Sequence, residues 1–198
     1  MEIVVASGNP GKLTYLEPFF EGTGCVLRSY DIDLDVEENG SDPAENALIK
    51  AEYCAEKLGT PAVALDSGLY FPNLSMKDPR QPGLFVRRIN GRELTYEEMV
   101  TYYRGVARSF GGRVLAAWCD GYALSFGKGN SESLLMPWDA NPAFWILDEQ
   151  RGPVSPGMPI DCISEPLPVT PERARIEAEY QEKLRCFFRE AIKRYKAV

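Results

Sequence analysis

A glycine-containing turn at residues 7–12 is the first place in the sequence where side chains could do chemistry. It follows an apolar run at residues 3–6 that predicts a buried strand, and it precedes a predicted helix at residues 13–20, which Pro18 limits or kinks. A strand, a turn and a helix start place free backbone N–H groups and Lys12 at one point, which favours binding of an anion such as a phosphate. A tight turn with a solvated lysine gives the same pattern, and these residues alone leave both interpretations open.

Asp66 is the second candidate for chemistry. It follows an apolar run at residues 61–65, which predicts a buried strand, and it precedes Ser67 and Gly68. Open α/β sheets keep their ligand-binding side chains at the carboxyl ends of strands, so this position favours a functional carboxylate. The alternative is an aspartate that caps a turn.

A long helix lies between these two candidates. Asp42 predicts its N-cap, Pro43 its first residue and Gly59 its end. Asn46 and Lys50 share one face of this helix, outside its apolar stripe, and without further context they indicate a polar surface.

Glu37 and Glu38 lie just before that helix. They follow residues 31–36, whose alternation of aspartates with apolar residues predicts an extended segment. A carboxylate at the end of such a segment can reach a ligand site.

Composition excludes several classes of site. The 198 residues contain no histidine, so serine–histidine and cysteine–histidine catalytic pairs and histidine-bearing zinc sites are impossible. A metal would be a hard cation on carboxylate oxygens, so Mg²⁺ or Mn²⁺. The net charge of −7 argues against binding to nucleic acid or anionic membranes. The five scattered cysteines and the absence of a long apolar run predict a cytoplasmic protein.

The remaining pattern predicts the elements that must position these residues. Predicted strands lie at residues 25–29, 113–124 and 133–136, a capped helix at 95–106, an irregular connector at 152–168 and a last helix from residue 170. Strands mixed with helices in this order indicate an α/β fold.

The ordered motifs resemble the inosine triphosphate pyrophosphatase family, which hydrolyses non-canonical purine nucleoside triphosphates to the monophosphate and pyrophosphate. The resemblance is specific over roughly the first half of the chain. It rests on five segments, at residues 7–12, 37–40, 44–51, 65–69 and 82–85.

This resemblance implies a role for each matched residue. Asp66, Lys12 and Lys50 would be catalytic, and Glu38 and Asp66 would hold the metal, Mg²⁺ or alternatively Mn²⁺. Residues implied to bind the substrate are Ser7, Gly8, Asn9, Gly11, Lys12, Asn46, Ser67 and Arg88. The implied fold is a single domain over residues 1–198, with a central mixed β-sheet flanked by helices in two lobes and an active-site cleft between them. The family resemblance also implies a homodimer.

Several positions depart from the family pattern. Leu65 replaces the first aspartate of an Asp-Asp pair, and Tyr15 stands where a glutamate is usual. The segment that packs near the base is reduced to residues 138–142. The Ser-His-Arg motif that reads the purine falls near residues 178–180, as Ala178-Glu179-Tyr180.

These departures lead to a hypothesis with an alternative. We expect a Mg²⁺-dependent nucleoside triphosphate pyrophosphatase, acting on an NTP or dNTP, whose base specificity is altered because polar groups that read the base are missing. The alternative is a catalytically weak or inactive nucleotide-binding relative. A structural or interaction protein is the third interpretation, and the ordered Lys12, Glu38, Lys50 and Asp66 argue against it.

Overall fold

The computed structural model describes residues 1–29, 36–127 and 129–197. The extended segment predicted at residues 31–36 therefore lies almost wholly outside the described residues. The chain divides into two compact units. Unit 1 contains Met1–Asp66, Asp120–Met136 and Ala178–Val198, and unit 2 contains Ser67–Cys119 and Pro137–Glu177.

The helices are four in the described residues: α1 (Pro10–Leu16), α2 (Pro43–Leu58), α3 (Tyr96–Ser109) and α4 (Pro171–Lys196). The strands are β1 (Glu2–Val5), β2 (Val26–Ser29), β3 (Ala62–Tyr70), β4 (Arg88–Ile89), β5 (Arg92–Glu93), β6 (Arg113–Ser125), β7 (Ser131–Met136), β8 (Phe144–Leu147) and β9 (Ser164–Pro166). The main sheet has the order β2-β1-β3-β6-β8-β9, with β7 paired to β6, and β4 pairs with β5. Because β1 is parallel to β2 and β3 while β6 is antiparallel to β7 and β8, the sheet is mixed, as predicted.

Unit 1 has a core on each face of its part of the sheet. On one face, Val63 and Leu65 of β3 pack with α1 and α4. On the other face, the neighbouring residues Ala62 and Ala64 pack against α2. This alternation follows from the two-residue period of a strand. The α2 side is lined mainly by alanine, so α2 can lie very close to the strands.

Unit 2 is built around α3. Its core contains the buried side chains of Phe71, Tyr103 and Ile146, from β3 and its following loop, α3 and β8. The hydroxyl of Tyr103 donates to the carbonyl of Val86 at 2.7 Å, which ties α3 to the loop before β4. None of the helices in the described residues has the length and apolarity needed to cross a membrane.

Local capping explains why α2 and α3 have the predicted starts. Asp42 accepts from the N–H groups of Ala44 and Glu45, and Gly59 ends α2 in the left-handed conformation at φ 64°. Thr95 and Glu98 form the predicted capping box at the start of α3.

Two predicted boundaries are wrong. The first helix begins earlier than predicted, at Pro10, because Asn9 caps it, and it ends at Leu16, where a 3₁₀ turn containing Pro18 takes over. Asp66 does not begin a turn: β3 continues through Ser67 and Gly68 to Tyr70, so Asp66 lies within the strand. An isolated bridge between Leu69 and Gly83 pairs the second part of β3 in unit 2.

Candidate active site

Three charged side chains of unit 1 meet beside β3. The Lys50 ammonium lies 2.8 Å from Oδ1 of Asp66 and 3.0 Å from Oε2 of Glu38. The side chains of Lys50 and Asp66 are 10% and 15% exposed, whereas that of Glu38 is 46% exposed. Lys50 therefore holds an inner and an outer carboxylate together, and the outer one faces solvent.

Asn46 fixes this arrangement from one turn earlier on α2. Its side-chain amide donates to Oδ2 of Asp66 at 3.2 Å, and its carbonyl oxygen accepts from the N–H of Gly40 at 2.9 Å. The first bond orients the carboxylate of Asp66, and the second holds the segment that carries Glu38. Asn46 and Lys50 are only 5% and 8% exposed. The prediction that they form part of a polar surface is therefore wrong. Helical spacing showed that they share a face, but burial depends on tertiary packing.

Lys12 reaches β3 from α1. Its ammonium donates to the carbonyl oxygen of Leu65 at 2.7 Å. Burial, with a smaller effect of Lys50, lowers the pKa of Lys12 to about 8, and the charges of Asp66, Glu38 and Asp120 oppose that change. The sequence left open the interpretation of a plain turn with a solvated lysine. The structure does not fit it, because the Lys12 ammonium is bonded to the backbone of β3.

The turn before α1 is closed by its own hydrogen bonds. The N–H of Asn9 donates to Oγ of Ser7, that of Gly11 to Oδ1 of Asn9, and those of Ser7 and Lys12 to the carbonyls of Val5 and Asn9. The prediction of free backbone N–H groups is wrong for these four amides, because Ser7 and Asn9 supply local acceptors. Gly8 also belongs to this turn.

Ser67 and Arg88, the other two predicted substrate-binding residues, belong to unit 2. Ser67 is the residue of β3 after Asp66, and Arg88 is an exposed residue of β4 whose register partner is Glu93. The structure thus brings five predicted residues into contact within unit 1, namely Lys12, Glu38, Asn46, Lys50 and Asp66, either directly or through the backbone of Leu65.

The two positions at which the family pattern has a carboxylate and this chain does not are Leu65 and Tyr15. Both side chains belong to one apolar cluster. Leu65 is only 5% exposed and packs in the core of unit 1, on the strand face opposite Asp66. Tyr15 packs against the same cluster. These positions are filled by core side chains, so no carboxylate is supplied there.

A network of phenols that the sequence analysis missed surrounds Tyr15. Its hydroxyl lies 2.9 Å from that of Tyr122 and 3.3 Å from that of Tyr180, and the latter two are 2.5 Å apart. Tyr180 donates to Oδ2 of Asp120 at 2.9 Å. Two sequence features could have pointed to this network. Tyr15 replaces a usual glutamate, and Tyr180 lies where the purine-reading motif falls.

The two carboxylates suit a cation that arrives with a substrate. Mg²⁺ is commonly held by one or two carboxylates together with substrate phosphates and waters, rather than by a cage of protein ligands. Glu38 and Asp66 supply two hard oxygen ligands that already share a cation, the Lys50 ammonium. No group of three or more metal-ligating side chains occurs among the residues that the structure describes.

Comparison with known proteins gives one consistent picture. The sequence model of the Ham1 family matches residues 3–123. A dITP/XTP pyrophosphatase of Thermus thermophilus is 33% identical over 146 residues, which cover 69% of this chain and 68% of that protein. The dITP/XTP pyrophosphatase of Legionella pneumophila (strain Paris) is 35% identical over 99 residues, 50% of this chain and 49% of that protein, so the chain spans about half the length of this relative.

The fold similarity extends further than the sequence similarity. The Ham1 protein of Staphylococcus aureus matches with a TM-score of 0.61 and 23% identity, covering 95% of this chain and 98% of that one. The HAM1 protein of Coxiella burnetii matches with a TM-score of 0.63 and 25% identity, covering 96% and 99%.

Proposed function

Because this chain belongs to the Ham1 family, we propose that it hydrolyses a nucleoside triphosphate to the monophosphate and pyrophosphate. The observation that supports this most directly is the convergence of Lys12, Lys50, Glu38 and Asp66 on one part of β3. Two ammonium groups and two carboxylates suit a polyphosphate that binds together with a divalent cation, and the relatives carry the name dITP/XTP pyrophosphatase.

In this proposal the lysines bind and stabilise the phosphates. Lys12 and Lys50 face the negative charge that develops on the leaving pyrophosphate as the bond between the α- and β-phosphates breaks. The turn residues Ser7, Gly8, Asn9 and Gly11 contact the phosphates beside Lys12, after the amides of that turn exchange their internal bonds for the substrate. Ser67 and Arg88 contribute further substrate contacts.

Asp66 is the proposed general base. It accepts a proton from the water that attacks the α-phosphate, so the new P–O bond forms while the bond to pyrophosphate breaks. Asn46 and Lys50 each bond one of its oxygens, which fixes the carboxylate plane, and each oxygen retains a lone pair for the water. Bound Mg²⁺, or Mn²⁺, held by Glu38 and Asp66, would neutralise the triphosphate and polarise the attacked phosphorus.

We further propose that this protein accepts a broader range of bases than a family member with the purine-reading Ser-His-Arg motif. Tyr180 stands where the purine-reading motif aligns, yet its side chain is 8% exposed and its hydroxyl donates to Asp120. A buried phenol engaged in this way has no free donor to offer a purine oxo group. The loss of that contact should reduce discrimination between bases.

The alternative, a nucleotide-binding relative with little or no turnover, has one observation in its favour. Leu65 is a core residue, so the site has one carboxylate fewer than the family pattern. The homodimer and the cytoplasmic location stay predictions from the resemblance and the composition.

Pyrophosphate release tests the proposal. A panel of NTPs and dNTPs, including ITP, XTP and dITP, would be incubated with the protein and Mg²⁺, Mn²⁺ or a chelator. We expect metal-dependent release, and a fall of about 10²- to 10⁴-fold in kcat/KM for Asp66→Asn, since it removes the base. Asp161→Asn, in unit 2, is the matched control and should behave as wild type.

The outcomes separate the two functions. Release from no nucleotide, or equal release by the Asp66→Asn variant, contradicts the hydrolase. Thermal stabilisation by nucleotides without turnover supports the binding relative instead. Similar kcat/KM values for purine and pyrimidine substrates would support relaxed specificity, whereas a strong preference for ITP and XTP would contradict it.

A further inference from the structure

The segment that carries Glu38 lies against the first turn of α2. Residues 36–42 have neither helical nor strand structure, so the bonds that hold them come largely from side chains. The N–H of Gly40 donates to Oδ1 of Asn46 at 2.9 Å, and a Cβ at Gly40 would lie 2.7 Å from that oxygen and from the Cβ of Glu45. Such distances are shorter than real Cβ contacts, so the glycine lets the segment pack directly on the helix.

Glu45 holds the next residue of the segment, Ser41, by two hydrogen bonds. Its Oε2 accepts from the backbone N–H of Ser41 at 2.7 Å and from the Ser41 hydroxyl at 3.0 Å. These bonds lower the pKa of Glu45, so its carboxylate is ionised near neutral pH and acts only as an acceptor. Because one bond comes from the backbone and one from the side chain, Glu45 fixes both parts of Ser41.

The start of α3 shows that this contact goes beyond ordinary helix capping. Glu98 is the third helical residue of α3, as Glu45 is of α2, and it bonds the N–H of its own N-cap, Thr95. The N-cap of α2 is Asp42, yet Glu45 reaches past it to Ser41. The same helix position therefore closes the helix start in α3 and holds the preceding segment in α2.

Glu38 itself has little to hold its side chain in place. The side chain is 46% exposed, and its Oε2 lies 3.0 Å from the Lys50 ammonium. An ion pair with a partner this exposed to water contributes little to the ordering of a loop. The position of the Glu38 carboxylate relative to Asp66 therefore depends mainly on the path of the backbone at residues 38–41.

We propose that Glu45 is a positioning residue for the proposed metal site, because its bonds to Ser41 keep Glu38 where it can share a divalent cation with the second carboxylate. The next residue of the helix, Asn46, holds Gly40 at the same time. Two consecutive residues of α2 thus fix two consecutive residues of the segment. The inference rests on the proposed function, because it takes Glu38 as a metal ligand.

Binding of Mn²⁺, followed by the electron paramagnetic resonance signal of the free ion, tests the inference. Each protein would be titrated with a nucleoside triphosphate analogue that has an imido bridge between the α- and β-phosphates, and the analogue alone supplies the background. We expect Glu45→Ala to weaken Mn²⁺ affinity about tenfold, since loss of a group that orients a metal ligand costs about 10- to 100-fold. Ser41→Ala keeps the backbone bond and should weaken the affinity less.

Two further variants separate positioning from helix capping. Glu45→Gln retains an oxygen that can accept from Ser41, so it should recover most of the affinity that Glu45→Ala loses. Glu98→Ala removes the glutamate at the equivalent position of α3, in unit 2. It should lower Tm much as Glu45→Ala does, because both lose bonds at a helix start, but it should leave Mn²⁺ affinity unchanged. All titrations are made at a temperature at which circular dichroism shows every variant to be folded.

Each outcome has one meaning. Unchanged Mn²⁺ affinity in Glu45→Ala, with wild-type binding intact, overturns the role of Glu45 and leaves the proposed function standing. Equal losses in Glu45→Ala and Glu98→Ala assign the effect to general destabilisation, and a Glu45→Gln variant as weak as Glu45→Ala assigns it to charge; either overturns the inference. If Glu45→Ala does not fold, Ser41→Ala decides, and wild-type affinity in it contradicts the inference. Failure of the wild type to bind Mn²⁺ with the analogue counts against the metal site of the proposed function itself.

Discussion

Lys12 and Lys50 show how two lysines of one site, the first half-buried and the second buried, differ in their surroundings. Lys50 contacts two carboxylates, so its charge is compensated where it lies. Lys12 bonds a backbone carbonyl, and its burial lowers its pKa to about 8. The ammonium of Lys12 therefore lies in an environment that does not favour its charge, which is the state expected of a group kept for an anionic ligand.

Replacement of Lys12 by methionine should stabilise the protein while removing the proposed pyrophosphatase activity. The pKa of Lys12 is lower in the folded than in the unfolded chain, so its charge lowers stability below pH 8 and this effect disappears as the pH rises from 8 to 10.5. Allowing for the lost bond to Leu65, we expect Lys12→Met to raise the free energy of unfolding by about 1 to 2 kcal/mol at pH 7. Urea unfolding at pH 7 and pH 10 measures this.

The control for this prediction is Lys77→Met, which removes an exposed lysine of unit 2 and should change stability by less than about 0.5 kcal/mol. The gain for Lys12→Met should shrink at pH 10, where the wild-type lysine is mostly neutral. A destabilised Lys12→Met variant at pH 7 would mean that the charge of Lys12 is well compensated in the folded state.

At the scale of elements, the sequence predicts the starts of helices better than it predicts the position of Asp66 within its strand. The caps of α2 and α3 lie next to the helices that they begin, so Asp42 and the Thr95–Glu98 box were readable locally. Ser67 and Gly68 favour turns, so the sequence predicts a strand end at Asp66. In the structure β3 continues through both residues, because its second part pairs with a residue distant in sequence. The phenol network joins residues more than 50 positions apart in sequence, and no local pattern reports such a contact.

The close approach of α2 to β6 should make Gly121 intolerant of any side chain. A Cβ at Gly121 would lie 2.0 Å from the backbone carbon of Pro43 and 2.1 Å from the nitrogen of Ala44, and backbone cannot move aside as a flexible side chain can. We expect Gly121→Ala to lower the free energy of unfolding by about 3 kcal/mol. It should also lower activity, because displacing the start of α2 shifts Asn46 and Lys50.

Gly105→Ala is the matched control, since the residue lies inside α3 and a Cβ there meets nothing within 4 Å outside its chain neighbours and the backbone of its own helix. It should stabilise the protein by about 0.5 to 1 kcal/mol, as alanine favours a helix over glycine. Thermal unfolding of both variants measures the contrast. A Gly121→Ala variant as stable as the wild type would show that α2 can move away from β6 at little cost.

At the scale of the whole molecule, the similarity to known structures extends over a part of the chain in which the family's sequence pattern is no longer matched. The family model stops at residue 123, but the likeness to the Staphylococcus and Coxiella structures covers 95% and 96% of the chain. The second half supplies β7, β8 and α4, whose apolar periodicity is enough to build a sheet edge and a packed helix. Periodicity does not specify which polar residues a site contains, so the functional residues of that half could not be predicted from its sequence.

Binding of nucleotide with metal should stabilise the folded protein, and removal of the metal should abolish most of that effect. The chain carries a net charge of −7, so a triphosphate without a cation meets overall repulsion. An analogue with an imido bridge between the α- and β-phosphates, at about 100 times its Kd with Mg²⁺, should add about 2.7 kcal/mol to the free energy of unfolding and raise Tm by about 5 to 10 °C. A chelator should reduce the shift to a small fraction, and Lys12→Met should reduce it in the presence of Mg²⁺, whereas Lys77→Met should not. An equal shift with and without the metal would contradict a site in which Glu38 and Asp66 share a cation with the substrate.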